Sequence, residues 1–432
     1  MIWNETKECM SRDEIETMQS ARLVKVVNRV YHNVPYYRNK MQQLGLEPGD
    51  IHGLEDLHKL PFTTYEDLRD TYPFGLAAVP KSEVVRLHAS SGTTGKPKIA
   101  VYTRRDIDIW AECVARCMTM IGITREDVIQ VAYGYGLFTG GLGAHYGAEE
   151  MGALVIPMST GNTQKLITMM IDCEATAIAC TPSYLLHVAE TLKAKNLLDK
   201  VKLKYAICGA EPWTDSMRKQ MEDTLGIKAY DIYGLTEICG PGVATDCQYH
   251  KGLHIWEDHF LPEIIDPVTM EQTPNESGEL VITTLTKEGM PLIRYRTKDL
   301  TSIDKTKCEC GRTMARIQRF KGRTDDMLII KGVNVFPSQV EEAVLNVPGV
   351  TAHYMMLVDR IDNEDSLEVQ VEVENTDILN DANLKQDTYN KVRKEIRRTI
   401  GLHADITLLE PNALEHSQGK TKHVTDNRKL YQ

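Results

Sequence analysis

The sequence has no long apolar run, and this absence excludes one broad class of protein. No segment approaches the ~18 uninterrupted apolar residues that a membrane-spanning helix requires. Residues 1–20 contain several acidic side chains and no apolar stretch, so they have the composition of neither a signal peptide nor a transit peptide. We therefore expect a soluble, cytoplasmic protein. In that compartment its ten cysteines should be reduced thiols or metal ligands rather than disulfides.

Positive charge is scarce as well. Lys and Arg number 50 against 61 Asp and Glu, which gives a formal net charge of −11. A chain of this sign is not expected to hold nucleic acid by neutralising many phosphates. Internal repeats are also absent, and an apolar fraction of 42% is too high for a disordered chain. The length of 432 residues predicts about two or three domains, at roughly 150 residues each.

Short apolar runs alternate with helical segments between residues 84 and 240. The runs are Asp127–Ala132, Ala153–Pro157, Thr176–Cys180, Tyr205–Gly209 and Lys228–Ile232. Such alternation predicts a largely parallel sheet covered by helices. After one of these runs, Thr181 and Pro182 predict the N-cap and the first residue of a helix. Beyond residue 240 strand-like segments such as Gly278–Leu285 dominate, which predicts a β-rich subdomain on the same body. The predicted fold class is therefore α/β.

The last ~110 residues have the pattern of a separate small α+β domain. Ser338–Glu341 has the residues of a capping box that opens a helix, and strand-like Leu367–Glu374 and helix-like Asp387–Ile400 follow. We predict a large domain over residues 1–322 and a small, mobile C-terminal domain over residues 323–432.

A glycine-rich loop, ASSGTTGKPK at residues 89–98, is the strongest local signal. Glycine lets backbone N–H groups approach an anion, and the hydroxyl and ammonium groups add donors, so the loop is predicted to hold phosphates. It is not a Walker loop, because two residues separate the glycines and Pro97 stands where a Ser or Thr would hold magnesium. A surface turn rich in small residues is the alternative.

The loop resembles the phosphate loop of the adenylate-forming enzymes, which include acyl-CoA synthetases, firefly luciferase and peptide-synthetase adenylation domains. Further motifs occur in the order found in that superfamily, namely Tyr233–Glu237, Tyr295–Asp299, Gly322–Asp326 and Gly419–Lys420. Segments 34–38, 255–260 and 327–337 are similar to the phenylacetate–CoA ligases in particular. The resemblance covers essentially the whole chain and implies the adenylate-forming enzyme fold.

The resemblance implies a two-step, AMP-forming ligation. An aromatic acid such as phenylacetate would react with ATP to give an acyl-adenylate and pyrophosphate, and coenzyme A would then displace AMP. Thr236 would bond the α-phosphate, Glu237 would carry Mg²⁺, and Lys420 would bridge the acid and the α-phosphate. Lys422 is the alternative to Lys420.

The nucleotide-binding residues follow from the same resemblance. Tyr233 would offer its ring to adenine, Gly209–Pro212 would cover the other face, and Asp299 would accept the ribose hydroxyls. Arg323 would approach the ribose or a phosphate, with a salt bridge to Asp325 or Asp326 as the alternative. The predicted ATP and AMP ligands are Ser90, Ser91, Gly92, Thr93, Thr94, Gly95, Lys98, Ala210, Glu211, Pro212, Asp231, Tyr233, Gly234, Asp299 and Arg323.

The small domain is expected to rotate between the two steps. Asp325 matches the hinge position of the superfamily, with Asp326 as the alternative. Lys331 and Gly332 would line the channel for coenzyme A, where a glycine leaves room for a narrow pantetheine arm.

An acid pocket is predicted in the stretch Ala132–Gly143, which concentrates aromatic residues and glycine. Phe occurs only six times in the chain, yet Phe138 falls close to Tyr133, Tyr135 and Gly140. Aromatic walls with small residues between them suit a flat ring. The alternative is ordinary core packing after a strand.

The pair Cys308 and Cys310 resembles one knuckle of a structural zinc site. Zinc in such sites takes four N or S ligands, and Cys247 and His254 are the favoured upstream partners. His250 is the local alternative to His254, and Cys239 is a weaker candidate. Unbound thiols in a loop remain the alternative to a metal site.

Two other functions are left open by the residues. One is an adenylylating relative that modifies a deazaflavin cofactor without coenzyme A, and the other is an adenylate-binding sensor without catalysis. Retention of Glu237, Asp299 and Lys420 argues against the sensor. The resemblance also implies a homodimer and a role in phenylacetate catabolism.

Overall fold

The computed structural model describes residues 1–90, 97–273, 276–320, 322–324, 327–331, 333–361, 364–414 and 423–428. Its helices are α1 (Glu5–Glu8), α2 (Arg12–Asn33), α3 (Pro35–Gln43), α4 (Tyr65–Asp70), α5 (Arg104–Met120), α6 (Thr139–Glu150), α7 (Thr163–Asp172), α8 (Pro182–Ala194), α9 (Asp215–Leu225), α10 (Pro337–Leu345), α11 (Asp377–Asn380) and α12 (Ala382–Ile400). Its strands are β1 (Arg86–Ala89), β2 (Ile99–Tyr102), β3 (Val128–Val131), β4 (Leu154–Pro157), β5 (Ala177–Cys180), β6 (Tyr205–Gly209), β7 (Lys228–Tyr233), β8 (Ala244–Asp246), β9 (Leu253–Ile255), β10 (Phe260–Ile265), β11 (Gly278–Thr284), β12 (Tyr295–Thr301), β13 (Ile303–Asp304), β14 (Arg316–Ile317), β15 (Gly322–Arg323), β16 (Leu328–Ile330), β17 (Val333–Val335), β18 (Val350–Ile361), β19 (Glu364–Val373), β20 (Asp405–Leu409) and β21 (Val424–Asp426).

The chain divides into two compact units. The first unit comprises residues 1–180, 200–210 and 228–320, and the second comprises residues 181–199, 211–227 and 321–432. The second unit thus includes α8 and α9, which the sequence assigns to the large domain. The division of function at residues 322 and 323 stays a prediction.

A nine-stranded sheet organises the first unit, with the order β13-β14-β9-β8-β7-β6-β5-β3-β4. The strands β7, β6, β5, β3 and β4 run parallel to one another, whereas β8, β9, β14 and β13 are added in antiparallel fashion. The five parallel strands match the five predicted apolar runs. All four residues of β5 are buried, as expected of a central strand covered on both faces.

The β-rich part of the first unit follows residue 240, as predicted. Strands β10, β11 and β12 form an antiparallel arrangement, and every residue of β11 is buried. A separate antiparallel hairpin of β1 and β2 brackets the glycine-rich loop.

The second unit contains the predicted α+β pattern in its C-terminal part. Strands β18 and β19 form a long antiparallel pair, flanked by β21 and β20 in parallel. Buried apolar residues of α10 and α12, among them Val344 and Ile396, share one core with this sheet.

The helix starts were predicted with mixed success. Thr181 caps α8 as predicted, since its Oγ1 accepts from the backbone N–H of Tyr184 at 3.4 Å. The predicted cap at Ser338 is wrong by two positions. Helix α10 is capped at Phe336, whose N–H donates to Gln339 Oε1 at 3.0 Å, because Pro337 supplies the fixed φ of a first helical residue.

No helix within the described ranges combines the length and the apolar character needed to cross a bilayer. The longest, α2, buries one face and places acidic and basic residues elsewhere along its length.

Candidate active site

The glycine-rich loop is closed at its base by two hydrogen bonds. The N–H of Ser90 donates to the carbonyl of Lys98 at 3.0 Å, and the N–H of Lys98 donates to Ser90 Oγ at 3.2 Å. These bonds continue the ladder of β1 and β2. The predicted phosphate ligands Ser91, Gly92, Thr93, Thr94 and Gly95 lie outside the described residues, so their roles stay predictions.

Lys98 forms an ion pair with Glu237. Its Nζ lies 2.8 Å from Glu237 Oε1, and the hydroxyl of Tyr295 donates to the same oxygen at 2.5 Å. The Glu237 side chain is 2% exposed. Burial opposes ionisation of this carboxyl, but the charge and hydrogen bond of Lys98 outweigh it and hold the pKa of Glu237 below its ordinary value. The residue predicted to carry magnesium is thus a buried carboxylate with a lysine beside it.

The backbone around Glu237 is held by two further buried side chains. Lys287 Nζ donates to the carbonyl oxygens of Glu237 and Ile238 at 2.9 and 3.0 Å, and Tyr102 donates to the carbonyl of Thr236 at 2.8 Å. Burial lowers the pKa of Lys287 to about 8. These contacts fix the turn after β7, which contains Thr236 and Glu237.

Gly234 allows that turn to close tightly. A Cβ atom at this position would lie 2.4 Å from the carbonyl oxygen of Cys239. Any other residue would therefore push the two sides of the turn apart. This close backbone approach is the structural reason for glycine in the motif that starts at Tyr233.

Tyr233 and Asp299 lie together, as the prediction of a shared nucleotide site requires. The hydroxyl of Tyr233 donates to Asp299 Oδ2 at 2.5 Å, and the ring of Phe320 packs on Tyr233 with 4.5 Å between centroids. On the same strand, the N–H of Asp231 donates to Asp246 Oδ1 at 3.0 Å. Asp299 is 7% exposed, so the pair forms a polar group within an apolar wall.

The strip after β6 is divided between the two units. Ala210 ends the stretch that belongs to the first unit, and its φ of 74° lies in the left-handed region. Glu211 and Pro212 belong to the second unit, where Glu211 Oε1 accepts from the backbone N–H of Ser183 at 2.7 Å and from the Ser183 hydroxyl.

The remaining predicted residues of the second unit are only partly described. Arg323 is half-buried on β15, and the N–H of Lys331, an exposed residue, donates to Asp365 Oδ2 at 3.2 Å. The predicted hinge residue Asp325, the channel residue Gly332 and the catalytic Lys420 lie outside the described residues.

The residues predicted to line the acid pocket lie around the start of α6. A Cβ at Gly140 would lie 2.6 Å from Phe138 Cε1 and 3.1 Å from Tyr133 Cγ, so both rings flank this glycine. Tyr133 is buried, whereas Phe138 is 38% exposed. Tyr135 is half-buried and its hydroxyl lies 3.3 Å from His145 Nδ1.

Cys247, His254, Cys308 and Cys310 converge in the first unit, with their ligand atoms all within 4.8 Å of one another. The Sγ atoms of Cys247 and Cys308 are 3.8 Å apart, and Cys310 Sγ lies 3.4 Å from His254 Nε2. These are the four residues favoured from the sequence.

Sequence comparison assigns the chain to a family. The sequence model of AMP-binding enzymes matches residues 31–286, and that of the AMP-binding enzyme C-terminal domain matches residues 332–428. A phenylacetate–coenzyme A ligase of Thermus thermophilus is 45% identical over 99% of this chain and 100% of its own length. A phenylacetate–coenzyme A ligase of Pseudomonas putida is 48% identical over 98% of this chain and 96% of its own. The chain belongs to the phenylacetate–CoA ligase family of AMP-binding enzymes.

Solved structures agree with this membership. A 2-hydroxyisobutyryl-CoA ligase in complex with its acyl-AMP superposes with a TM-score of 0.93, at 28% identity over 98% of this chain and 92% of that one. A benzoate CoA ligase from Burkholderia xenovorans, at 17% identity, a TM-score of 0.58 and coverage of 79% and 68%, shares the fold. The predicted adenylate-forming fold and ATP-dependent acid–CoA ligation through an acyl-adenylate are thereby confirmed. As a family member, the protein is an AMP-forming acid–CoA ligase that uses ATP and coenzyme A.

Several residues that contact the predicted site residues were not indicated by the sequence. Tyr295 opens the Tyr295–Asp299 motif and could have been found there, because it shares its motif with Asp299. Lys287, Tyr102 and Phe320 carry no local pattern. They reach the site only because distant segments meet in the fold.

Proposed function

We propose that the enzyme activates an aromatic monocarboxylic acid of the phenylacetate type and transfers the acyl group to coenzyme A. A carboxylate oxygen of the acid attacks the α-phosphorus of ATP and pyrophosphate leaves. The sulfur of coenzyme A then attacks the acyl carbonyl carbon and AMP leaves. The observation that carries the proposal is the group of Lys98, Glu237 and Tyr295, which strand β12 links to the Tyr233–Asp299 pair.

Glu237 is the residue that we assign to Mg²⁺. It fits that cation, since it is a buried carboxylate kept ionised by Lys98 and hard oxygen ligands are what magnesium prefers. Bound there, Mg²⁺ would neutralise phosphate charge. Lys98 follows the predicted phosphate loop in the sequence and pairs with Glu237, so its ammonium could bind the phosphates once Mg²⁺ neutralises the carboxylate.

The nucleotide is assigned to residues on both sides of β7. Asp299 has two acceptor oxygens for the vicinal ribose hydroxyls, and Tyr233 presents its ring to adenine. Thr236, held by its carbonyl to Tyr102, would bond the α-phosphate. Ser90, Lys98 and the loop between them would hold the β- and γ-phosphates, while Ala210, Glu211, Pro212, Asp231, Gly234 and Arg323 complete the proposed set.

The C-terminal segment supplies the residue that acts on the reacting atoms. Lys420 would bridge the carboxylate and the α-phosphate as charge develops, which only a cation delivered to the closed site can do. Residues 323–432 would move about a hinge at Asp325 between the two steps. Lys331 and Gly332 would then line the coenzyme A channel. This part of the proposal comes from family resemblance.

The acid would lie against the aromatic side chains around Gly140. Phe138 and Tyr133 flank this glycine so closely that a Cβ atom would clash with Phe138, and glycine therefore lets both rings pack at the start of α6, where they can form an aromatic wall. Tyr135 lies alongside, with its polar end on His145. An acid with one carboxylate and an aromatic ring fits such walls.

Three further properties belong to the same proposal. The Cys247–His254–Cys308–Cys310 cluster would hold a structural zinc ion that takes no part in the reaction. The enzyme would act in the cytoplasm as part of phenylacetate catabolism and as a homodimer. Sedimentation at micromolar concentration would reject the dimer if the mass stays at 48.8 kDa.

The decisive assay measures AMP formation with a panel of acids, with and without coenzyme A. Phenylacetate should give AMP and a thioester only when coenzyme A is present, and hexanoate and a dicarboxylate should react far more slowly. A product formed equally well without coenzyme A would instead indicate adenylylation alone. No AMP with any aromatic acid would reject the proposed substrate class.

A further inference from the structure

Two distances within the Cys/His cluster match those of a tetrahedral zinc site. With Zn–S bonds of about 2.3 Å and tetrahedral angles, two thiolate ligands lie about 3.8 Å apart. The Sγ atoms of Cys247 and Cys308 are separated by 3.8 Å. A sulfur and an imidazole nitrogen on the same ion would lie about 3.6 Å apart, and Cys310 Sγ lies 3.4 Å from His254 Nε2. A disulfide would need sulfurs about 2.05 Å apart.

The structure also selects among the candidate ligands. His250 is engaged elsewhere, since its Nδ1 lies 2.7 Å from Asp246 Oδ2. Cys239 is buried near its own turn, with its Sγ 4.0 Å from the carbonyl of Pro241. His254 is fully buried and directs Nε2 at Cys310. The donor set is therefore three thiols and one imidazole, a combination that zinc favours.

The four ligands come from three segments that are neighbours in the sheet. Cys247 follows β8, His254 lies on β9, and Cys308 and Cys310 occupy the loop before β14. Register pairs His254 with Thr245 of β8 and with Arg316 of β14. An ion at this place would cross-link the end of three consecutive strands.

The N-terminal segment packs against the loop that contains Cys308 and Cys310. Arg312 Nε donates to Glu8 Oε2 at 2.6 Å, and its Nη2 donates to the carbonyl of Met1 at 2.7 Å. The N–H of Thr313 donates to the carbonyl of Glu8 at 3.1 Å. Both Arg312 and Glu8 are at most 1% exposed. The start of the chain is therefore packed on the ligand loop.

The chain beyond Cys310 connects the cluster to Tyr233 and Phe320, which together form the nucleotide wall. Ten residues beyond Cys310, Phe320 packs on the ring of Tyr233. The intervening chain is fixed by β14 and by the N–H of Gln318, which donates to the carbonyl of Ser302 at 2.8 Å. From Cys247, strand β8 returns to β7, where Ala244 pairs with Tyr233. Two short paths thus connect the cluster to the same aromatic ring.

We infer that a zinc ion bound by Cys247, His254, Cys308 and Cys310 fixes the wall formed by Tyr233 and Phe320, and so sets the affinity for the adenine nucleotide without touching a reacting atom. The inference rests on the proposed nucleotide role of Tyr233. These four ligands are positioning residues for that wall.

The first measurement is the zinc content of the untagged full-length protein by elemental analysis. The purified protein should contain about one zinc per chain, and Cys308→Ser and His254→Asn should lose it. His250→Asn is the matched control and should keep the metal, because His250 lies outside the donor set. A zinc content well below one equivalent in the wild type would overturn the inference.

The second measurement is the affinity for AMP by calorimetry, which needs no turnover. Zinc should be removed from the folded wild type with a chelator and a mercurial, and then restored. We expect the AMP dissociation constant to rise about tenfold on removal and to recover on addition of zinc, while His250→Asn binds as the wild type does. Unchanged AMP affinity in the zinc-free protein, with its near-ultraviolet circular dichroism intact, would reject the coupling.

Turnover separates this inference from the proposed function. In the zinc-free enzyme the KM for ATP should rise about tenfold, whereas the KM for the acid should change little. An equal rise in both would indicate general loss of structure and would contradict a specific effect on the nucleotide wall. A wild type that holds zinc and binds AMP with the expected coupling but activates no acid would refute the proposed substrate class alone.

Discussion

The nucleotide region contains a buried carboxyl group and the Cys/His cluster contains buried thiols, but the negative charge of these groups is neutralised in different ways. Glu237 has Lys98 within 2.8 Å, so its charge is matched by a side chain of the protein. The cluster brings three thiols and one imidazole together, and its neighbouring cation, Arg312, pairs with Glu8 and makes only a long contact, 3.8 Å, from Nη1 to Cys310 Sγ. The Lys98–Glu237 pair suits substrates that bind and are released, whereas the Cys/His cluster suits a permanently bound divalent ion.

The ionisation of the two regions differs in the same way. Hydrogen bonding from Cys247 and His254 lowers the pKa of the Cys310 thiol far below its ordinary value even though burial opposes this. A cysteine that is ionised beside other sulfur atoms is suited to bind a metal ion. The pKa of Glu237 is lowered too, because Lys98 outweighs the opposing effect of burial. The carboxylate is therefore ionised and able to bind magnesium, and Lys98 neutralises its charge when no metal is bound.

The largest expected effect lies on the catalytic side. Lys420→Ala should slow pyrophosphate release by at least about a thousandfold, because it removes the cation proposed to meet charge developing in the transition state. Thioester formation from supplied acyl-adenylate should be spared, and zinc content should not change. Lys422→Ala is the matched control and should retain pyrophosphate release. Equal loss of both half-reactions in Lys420→Ala would contradict this division of roles.

Glu237→Gln should lower the rate of adenylation by about a hundredfold to a thousandfold, since the substitution removes the proposed magnesium ligand and leaves Lys98 without its partner. The rate should be measured against magnesium concentration, where the variant should need more of the cation. Glu288→Gln removes a carboxylate from a more exposed pair and should leave both quantities unchanged. A variant with normal magnesium dependence would show that another residue holds the cation.

Arg312→Met should act on stability and not on the chemical step. It leaves Glu8 buried without its partner, which costs about 3–5 kcal/mol when a buried pair is broken. The midpoint of denaturant unfolding should fall accordingly while kcat changes little. Arg360→Met, which breaks an ion pair whose arginine is 45% exposed, should cost less than about 1 kcal/mol. Equal midpoints for the two variants would show that burial does not make the Arg312–Glu8 pair the more important one.

The smallest expected effect concerns the acid pocket. Phe138→Ala should raise the KM for the aromatic acid about fivefold to tenfold, roughly 1 kcal/mol of lost ring contact, and leave the KM for ATP unaltered. Leu137→Ala is the neighbouring control, because that side chain is 60% exposed. A rise in the KM for ATP instead would place Phe138 outside the acid pocket.

The sequence predicted the parallel strands because each is a short apolar run between turn signals. It predicted the cap at Thr181 for a similarly local reason, whereas the cap of α10 was misplaced because Pro337 fixes the helix start before Ser338. The family motifs indicated Glu237, Tyr233 and Asp299 before any contact was known. They could not reveal Lys287 or Phe320, which lie 50 and 87 residues from Glu237 and Tyr233 along the chain.

The fold class, the family and the type of reaction could be predicted from the sequence alone, because residue periodicity and short motifs carry that information locally. The sequence also narrowed the metal ligands to a few cysteines and histidines. The folded structure was needed to show that His254 faces Cys310 while His250 contacts Asp246. His254 lies on β9, whose register with β14 brings it beside the loop of Cys308 and Cys310, whereas His250 lies in the turn between β8 and β9, and neither pairing between distant segments is written in the local sequence.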